Sequence, residues 1–316
     1  MITRNYAISI APMMDVTDGH CRFFLRQVNS RARLYTEMIT TGALIHGNVP
    51  RHLEFSEEEH PVALQLGGSE PDELARCAKL GEQYGYDEIN LNIGCPSERV
   101  QRGAFGACLM AEPALVADCV KAIRDAVALP VTLKHRIGID KVEDYAFVRD
   151  FVGTVAESGC QTFIVHARNA ILKGLSPKEN REIPPLKYDY VYRLKRDFSQ
   201  LKFVINGGIT TLSEVELHLR SVDGVMIGRA AYANPWFIAD AGNTRAAVAK
   251  AMYSYAKGVP VLRHVTRHML GLYHGMPRAR VWRRMLSDPV ELSANDPALI
   301  LRALGVVDEA ENVVCP

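Results

Sequence analysis

A cysteine between glycine and proline is the residue in this sequence whose setting most directly suggests chemistry. Cys95 follows the apolar run 88–92 and lies in the segment Gly94-Cys-Pro96, in a loop rather than on a helix face. A thiol has a reference pKa of about 8.5, so without a cationic activator it stays mostly protonated at pH 7 and can donate a proton. A covalent nucleophile would instead need a histidine base beside it. The residues alone leave both roles open, as well as a purely structural cysteine.

Polar side chains stand at the ends of several other apolar runs. Lys134 lies in Thr-Leu-Lys-His-Arg, where an inward-facing ammonium group needs an electron-rich partner. The N1/C2=O edge of a flavin becomes negative on reduction and would supply that partner. Gln65 and His166 end comparable runs and could complete the contacts to the ring. Each residue taken singly could be a satisfied core polar group, but their shared position favours a common ligand.

Two glycine turns follow the last two apolar runs, at Asn206-Gly207-Gly208 and at Gly228-Arg229. Loops at such positions in a barrel often bind phosphate through backbone N–H groups and a helix N-terminus. Glycine lets the backbone approach an anion, and an arginine can fork onto phosphate oxygens. One Gly-Gly pair alone would be an ordinary turn, but two such turns on adjacent strands predict a phosphate site.

Eight short apolar runs separated by helical patterns organise the first 240 residues. Their continuous hydrophobicity is typical of parallel strands covered on both faces. Eight strand–helix units of this total length predict an α/β fold, the TIM (β/α)8 barrel. A doubly wound sheet is the alternative, but the first run is not followed by G-x-G-x-x-G. The expected strands are residues 8–12, 34–37, 62–67, 88–92, 131–136, 162–166, 202–206 and 224–228.

Beyond residue 241 the pattern is helical and the charge balance changes. Residues 241–287 hold nine Lys or Arg and no Asp or Glu. Arg280, Arg283 and Arg284 are spaced to share one helix face. Arginines without nearby acids suit a phosphate backbone, although a solvated face is the alternative. We expect two domains, a catalytic barrel over 1–240 and a helical domain over 241–316, with helices at 244–255, 259–273, 279–287 and 297–304.

Composition narrows the class of protein. The chain has 316 residues, 48% of them hydrophobic and 23% charged, which excludes disordered and fibrous proteins. It has neither an apolar run of about 18 residues nor a signal-peptide pattern, so we expect a cytoplasmic protein.

Seven cysteines without C-x-x-C spacing predict neither a disulfide framework nor a metal site. No segment indicates a large apolar interface, so we expect a monomer. The proline-rich stretch 172–188 predicts a functional loop.

The assembled motifs resemble the tRNA-dihydrouridine synthases over nearly the full length of the chain. Two stretches, residues 174–185 and 281–287, are similar to the A subfamily, which modifies positions 20 and 20a of the tRNA D-loop. The motifs that carry the family resemblance are Ala11-Pro-Met-Met-Asp-Val-Thr-Asp18, Leu91-Asn-Ile-Gly-Cys-Pro-Ser97, Lys134-His-Arg136, His166-Ala-Arg168, Asn206-Gly-Gly-Ile209 and Gly228-Arg-Ala-Ala-Tyr-Ala-Asn-Pro235.

This resemblance implies an FMN enzyme that takes a hydride from NADPH and passes it to C6 of a uridine, reducing the C5–C6 double bond. Cys95 then corresponds to the proton donor to C5. The residues implied to contact the flavin ring are Pro12, Met13, Met14, Gln65, Lys134 and His166. Those implied to hold its phosphate are Asn206, Gly207, Gly208, Gly228 and Arg229.

The resemblance also implies contacts with tRNA, through a uridine that must leave its stack to reach the barrel. Arg280 and Arg283 are added from charge alone, and Arg278 stands where close relatives are expected to carry glycine. A dihydroorotate dehydrogenase-like enzyme acting on a free pyrimidine and a non-catalytic RNA-binding barrel are the alternatives. The implied tRNA contacts are Asn92, Lys178, Arg181, Arg284 and Ser287.

Overall fold

The structure is a computed structural model that describes residues 7–311 apart from residue 143, and the backbone alone at residues 99, 102 and 308–311. Its centre is a single parallel sheet. The strands are β1 (Ile8–Ile10), β2 (Leu34–Tyr35), β3 (Ile39–Thr40), β4 (Val62–Gly67), β5 (Glu88–Ile93), β6 (Val131–Arg136), β7 (Thr162–His166), β8 (Lys202–Asn206) and β9 (Gly224–Ile227).

The sheet curves into a nearly closed barrel. Its strands follow the order β1, β9, β8, β7, β6, β5, β4, β2, and β3 also pairs with β4. A parallel bridge between Ser9 and Arg33 links the two ends of this order, and the Ile10 N–H donates to the Arg33 carbonyl at 2.9 Å. Helices follow most strands, so the predicted TIM barrel with a helical C-terminal region is confirmed.

Helices cover the barrel and make up the C-terminal region. Short 3₁₀-helices span Glu57–Glu59, Gly106–Ala111, Glu179–Arg181 and Pro235–Ile238. The α-helices are α1 (Gly19–Val28), α2 (Thr41–His46), α3 (Val49–Leu53), α4 (Pro71–Gln83), α5 (Glu98–Arg102), α6 (Pro113–Ala126), α7 (Tyr145–Glu157), α8 (Tyr188–Asp197), α9 (Leu212–Leu219), α10 (Arg229–Ala233), α11 (Arg245–Ala256), α12 (Leu262–Met269), α13 (Ala279–Ser287), α14 (Pro289–Ser293) and α15 (Ala298–Glu311).

Strand alternation decides which side chains face the barrel interior. On β6, His135 lies outside the barrel, where its ring contacts Phe151 of α7 and Phe163 of β7. Lys134 and Arg136 therefore point inward. An apolar cluster separate from the main core fills part of the interior, formed by Ala11, Tyr35, Ala63, Ile164, Val204 and Met226. The inward polar side chains of β4 to β8 lie toward the carboxyl ends of their strands, at the mouth of the barrel.

Several expected elements differ in their bounds: the strands expected at 8–12, 88–92 and 224–228 end at residues 10, 93 and 227, and the helices expected at 244–255 and 297–304 span 245–256 and 298–311. Two further differences have a visible cause. The second strand is divided into β2 and β3, because the Gln65 N–H donates to the Thr36 hydroxyl at 3.0 Å instead of continuing the backbone ladder. The helix expected over 259–273 is shorter and spans Leu262–Met269. Proline at position 260 disfavours helical geometry at residue 259, and the Leu262 N–H is instead capped by the Asn295 side chain at 2.7 Å.

After β9 the described chain contains no further strand. Helices α11 and α12 pack against α1 of the barrel, and α15 packs against α11 and α13. The division into two domains near residue 241 stays a prediction. No helix within the described ranges is both long and apolar enough to cross a membrane. The six described cysteines are free thiols, and Cys315 lies outside the described residues.

Candidate active site at the barrel mouth

The loop that carries Cys95 is fastened to the end of β5. The Asn92 side-chain oxygen accepts the N–H groups of Gly94 at 3.1 Å and Cys95 at 3.0 Å, as an Asx turn does. The Cys95 carbonyl accepts the Ala107 N–H at 3.0 Å. The thiol is half-buried and lies 3.6 Å from the Ser97 hydroxyl, to which it donates. The thiol is thus held at a defined place at the mouth, and its part in the reaction stays a prediction.

Arg136, a buried residue at the end of β6, holds the loop that carries Cys95. Arg136 donates from Nε to the Gly94 carbonyl at 3.2 Å and from Nη1 to the carbonyls of Asn169 at 3.2 Å and Asn180 at 2.9 Å. Its side chain is 3% exposed. Burial, above all, and the neighbouring charges of Arg168 and Arg181 lower the pKa of Arg136 to about 10, so it remains a cation at neutral pH. The guanidinium group thus joins the loop after β5 to two points of the connection between β7 and α8.

Gln65 and Asn92 belong to a hydrogen-bonded row across the barrel interior. Asn92 Nδ2 donates to Gln65 Oε1 at 2.9 Å, and Gln65 Nε2 donates to Asn90 Oδ1 at 2.7 Å. Asn90 Nδ2 donates to Thr132 Oγ1 at 2.8 Å, and Thr132 donates to Glu88 at 2.6 Å. The row fixes the orientation of both amides. Because the amide group of Asn92 is bound within the protein at both ends, it positions the Cys95 loop, and its predicted tRNA contact stays a prediction.

Lys134 lies half-buried on β6, opposite β8. Its ammonium group donates to Asn206 Oδ1 at 3.3 Å, and Asn206 in turn donates to the Met226 carbonyl at 2.8 Å. Burial, and after it the charge of Arg136, lower the pKa of Lys134 to about 7, although Cys95 opposes the shift. A lysine with this pKa, paired in the structure with a neutral amide, is suited to meet an anion at this place.

The turn after β8 lies against His166. The backbone at Gly207 has φ +116°, and a Cβ there would approach the His166 ring to 2.7 Å. The Tyr188 hydroxyl donates to the Gly207 carbonyl at 2.7 Å. Burial and the charges of Arg136 and Lys134 hold the pKa of His166 well below its usual range, so the ring is neutral. Glycine is needed at position 207 because of both its conformation and this contact.

The other predicted phosphate residues lie beside this turn. Gly228 caps α10, where its carbonyl accepts the Ala231 N–H at 3.0 Å, and the N–H groups of Arg229 and Ala230 precede the first intrahelical hydrogen bond. Arg229 is exposed and pairs with Glu182 at 2.6 Å. A Cβ on Gly228 would lie 4.0 Å from Met13 Sδ, so the β1 and β9 ends are adjacent. Pro12 and Met13 are partly buried at the mouth, and Met14 is 54% exposed.

The proline-rich stretch forms an ordered loop over residues 171–187, which we call the β7–α8 loop. Asn180 is fully buried and binds this loop internally, accepting the Ile171 N–H at 2.7 Å and donating to the Ile171 carbonyl at 2.9 Å. The predicted tRNA residues Lys178 and Arg181 are exposed on the loop surface. Arg181 also lies close enough to Cys95 to interact with it electrostatically. The loop therefore borders the mouth of the barrel.

The remaining predicted tRNA residues lie on α13, in the helical region. The buried Trp282 anchors this helix by donating to the Met269 carbonyl at 2.9 Å, and α13 packs on α12, α14 and α15. The Ser287 hydroxyl donates to the Arg283 carbonyl at 2.8 Å. Four side chains project to solvent from α13, those of Arg280, Arg283, Arg284 and Ser287.

Arg278, just before α13, adopts the left-handed φ of +56°, a conformation that glycine enters without steric cost. Its guanidinium group donates to the Val306 carbonyl at 2.7 Å. This hydrogen bond offsets part of the cost of the backbone conformation, and the turn into α13 is formed with arginine at this position.

Three residues of the site have roles that the sequence does not predict, namely Arg136, Asn180 and Gln101. Arg136 was visible as a charged strand end, but its bonds to three carbonyls require the folded loops. Asn180 and Gln101 carry no local signal. Gln101 donates from Nε2 to the carbonyls of Pro96 at 2.8 Å and Leu172 at 2.7 Å, which are distant in sequence.

The chain is similar to known proteins over nearly its whole length. Residues 9–304 match the family model described as dihydrouridine synthase. The chain is 58% identical over 318 aligned residues to the tRNA-dihydrouridine(20/20a) synthase of Salmonella typhimurium, covering 96% of this chain and 95% of that one. It is 56% identical over 315 residues to the enzyme of the same name from Escherichia coli, covering 95% and 91%.

A solved complex of 2-naphthoyl-CoA reductase with 2-naphthoyl-CoA superposes with a TM-score of 0.57 at 9% identity, over 73% of this chain and 49% of that one, and so shares the fold. The family model and the identities to the two synthases go further than this likeness. They establish that the chain belongs to the dihydrouridine synthase family.

Proposed function

We propose that this protein reduces the C5–C6 double bond of uridine in the D-loop of tRNA, at positions 20 and 20a as in the names of its relatives. One observation supports this proposal above the others. The half-buried Cys95 thiol is fixed at a barrel mouth that is lined by inward Lys134 and neutral His166 and bordered by exposed Arg181. Reduction of an activated double bond needs a hydride source and a proton donor side by side, and this mouth offers a place for both.

The residues present fit an FMN group. Lys134 has only the neutral amide of Asn206 as its partner, so its amine can meet an anionic ring edge, and that negative charge would favour the protonated form. The turn at Gly207 and Gly208 and the N-terminus of α10 with Arg229 provide backbone N–H groups and a cation for the phosphate. Pro12, Met13, Met14, Gln65 and His166 would contact the ring. When bound, the flavin supplies the hydride for C6 of the uracil, and NADPH is the proposed reductant.

Cys95 would supply the proton to C5. The thiol donates to the Ser97 hydroxyl, and the charges of Arg136 and Arg181 interact electrostatically with the sulfur. These cations would stabilise the thiolate left after the proton is given away. The Arg136 guanidinium is occupied by backbone carbonyls, so it acts on the sulfur through its charge and through the position of the loop.

The tRNA would be held by two surfaces. Lys178 and Arg181 border the mouth, and Arg280, Arg283, Arg284 and Ser287 face solvent on α13. Arginines that neutralise phosphates bind RNA without reading its sequence, so this arrangement leaves base recognition to the barrel mouth. We propose that residues 1–240 form the catalytic domain and residues 241–316 the tRNA-binding domain of a cytoplasmic monomer.

The test is a visible absorption spectrum under anaerobic conditions. Flavin bands that bleach with NADPH and return on addition of unmodified tRNA, with dihydrouridine formed, are the expected result. Reoxidation by a free pyrimidine without RNA would point to the dihydroorotate dehydrogenase-like alternative. A protein that takes up no flavin on reconstitution would contradict a catalytic role.

Replacement of the proton donor separates the two half-reactions. We expect Cys95→Ala to slow flavin reoxidation by tRNA roughly 10²- to 10⁴-fold, the usual contribution of general acid catalysis. Bleaching by NADPH should be unchanged. Cys108→Ala is the matched control, because Cys108 is also a half-buried free cysteine but donates only to the Phe105 carbonyl. Wild-type tRNA reduction in the Cys95 variant would exclude the assigned role.

A further inference from the structure

The Cys95 loop and the β7–α8 loop are joined directly by one side chain. Gln101 lies partly buried on α5, five residues after the Pro96 carbonyl that its Nε2 contacts at 2.8 Å. The same nitrogen donates to the Leu172 carbonyl at 2.7 Å. A side-chain amide has two N–H donors, and both are used here on carbonyls of two different loops.

Arg136 makes the same connection from the barrel interior. It donates to the Gly94 carbonyl on one loop and to the Asn180 carbonyl on the other. Cys95 therefore lies between two carbonyls, those of Gly94 and Pro96, that are each hydrogen-bonded to a side chain also holding the β7–α8 loop. That loop carries Lys178 and Arg181, the proposed tRNA contacts at the mouth.

We infer that Gln101 is a positioning residue for the reaction, which couples the position of the Cys95 thiol to the β7–α8 loop that tRNA contacts. This inference rests on the proposed function of the mouth. Gln101 does not touch the thiol itself. It acts on the backbone that carries the thiol, and a displacement of about 1 Å in a reacting group can cost roughly 10²-fold in rate.

The inference requires the two N–H donors rather than the bulk of the side chain. Gln101→Met keeps the length and removes both donors. Gln101→Glu keeps the shape and places a carboxylate against two carbonyl oxygens. Gln83→Met is the matched control, because Gln83 is exposed at the end of α4, outside the site.

The first experiment measures single-turnover oxidation of the reduced holoenzyme by unmodified tRNA, together with tRNA affinity. We expect both Gln101 variants to react about 10-fold more slowly, with tRNA affinity within about twofold of wild type and unchanged bleaching by NADPH. The Gln83 variant should match wild type. A wild-type rate in both Gln101 variants would overturn the inference, and so would a loss confined to tRNA affinity.

The second experiment follows alkylation of Cys95 by iodoacetamide in the folded holoenzyme, with the Cys95→Ala variant to identify the modified site. A loop freed from the Gln101 amide should expose the thiol more often, so we expect several-fold faster alkylation in both variants. Unchanged alkylation would contradict the inference. Because this readout needs no turnover, it remains decisive if the wild-type enzyme does not reduce tRNA, a result that would contradict the proposed function alone.

Discussion

The carboxylate of Asp18, at the start of α1, accepts a hydrogen bond from Arg267 Nη2 of α12 at 2.5 Å. It also lies 3.0 Å from His268 Nε2 and caps α1 by accepting the Cys21 N–H at 2.9 Å. One side chain thus joins the turn after β1, which carries the proposed flavin contacts, to the helical region. Although burial opposes it, the bonds to His268, Cys21 and Arg267 hold the pKa of Asp18 well below its usual range.

We predict that Asp18→Asn lowers the free energy of unfolding by about 1–3 kcal/mol at pH 7, because asparagine can still cap the helix but loses the charge. A carboxyl group with a lowered folded-state pKa stabilises the fold above its unfolded pKa of about 3.9, and this contribution is lost as the pH falls. The difference from wild type should therefore shrink below pH 4. Urea unfolding between pH 3.5 and 7 measures it.

Asp144→Asn is the control for this prediction. Asp144 caps α7 by accepting the Phe147 N–H at 2.8 Å and is exposed at the helix start. We expect a cost well below that of the Asp18 variant. Equal costs for the two variants would show that capping, and not the contact with α12, is what Asp18 contributes.

The second prediction concerns Lys134 in the flavin-free protein. Its pKa is lowered from 10.5 to about 7, so between these values the unfolded chain binds more protons than the folded one. The contribution of Lys134 to the free energy of unfolding therefore rises with pH between these two values, by at most about 1.4 kcal/mol per pH unit. Lys134→Met should be more stable than wild type at pH 7, and this advantage should disappear toward pH 10.

Thermal unfolding of the flavin-free proteins at several pH values tests this, with Lys79→Met, an exposed position on α4, as the control. A difference between the Lys134 variant and wild type that does not depend on pH would contradict the assigned pKa.

The third prediction uses the ion pair between Arg229 and Glu182. The two groups are about half exposed and lie 2.6 Å apart, so the pair contributes at most about 1 kcal/mol. If Arg229 binds the FMN phosphate, Glu182→Gln frees it and FMN should bind up to about 5-fold more tightly. Fluorescence titration of flavin-free protein measures the affinity. Unchanged affinity would show that the ion pair with Glu182 does not compete with binding of the FMN phosphate.

The fourth prediction concerns α13. Arg283→Ala with Arg284→Ala should weaken tRNA binding and lower the slope of log affinity against log salt by about two units, because two phosphate contacts are removed. Binding titrations at several salt concentrations measure this. Arg149→Ala, exposed on α7, is the control. An unaltered slope in the double variant would show that tRNA does not use this face.

Much of the barrel was readable from the sequence because buried parallel strands are short, apolar and β-branched. Four expected strands, at 62–67, 131–136, 162–166 and 202–206, have the bounds seen in the structure. The division of the second strand was not predictable, since it depends on the Thr36 hydroxyl meeting the Gln65 N–H, 29 residues away. The start of α12 depends in the same way on Asn295.

The sequence by itself determined that Gln65, Lys134 and His166 lie near the carboxyl ends of their strands. Because side chains alternate between the two faces of a strand, it also determined that these three point to the same side of the sheet. Closure of the barrel determined which side chains they contact, and it places Lys134 Nζ 3.3 Å from Asn206 Oδ1, a residue 72 positions away in the sequence. The tertiary structure alone decided that Arg136 and Gln101 bind the Cys95 loop to the β7–α8 loop. Hydrogen bonds to backbone carbonyls leave no trace in residue identity, since every residue offers the same acceptor.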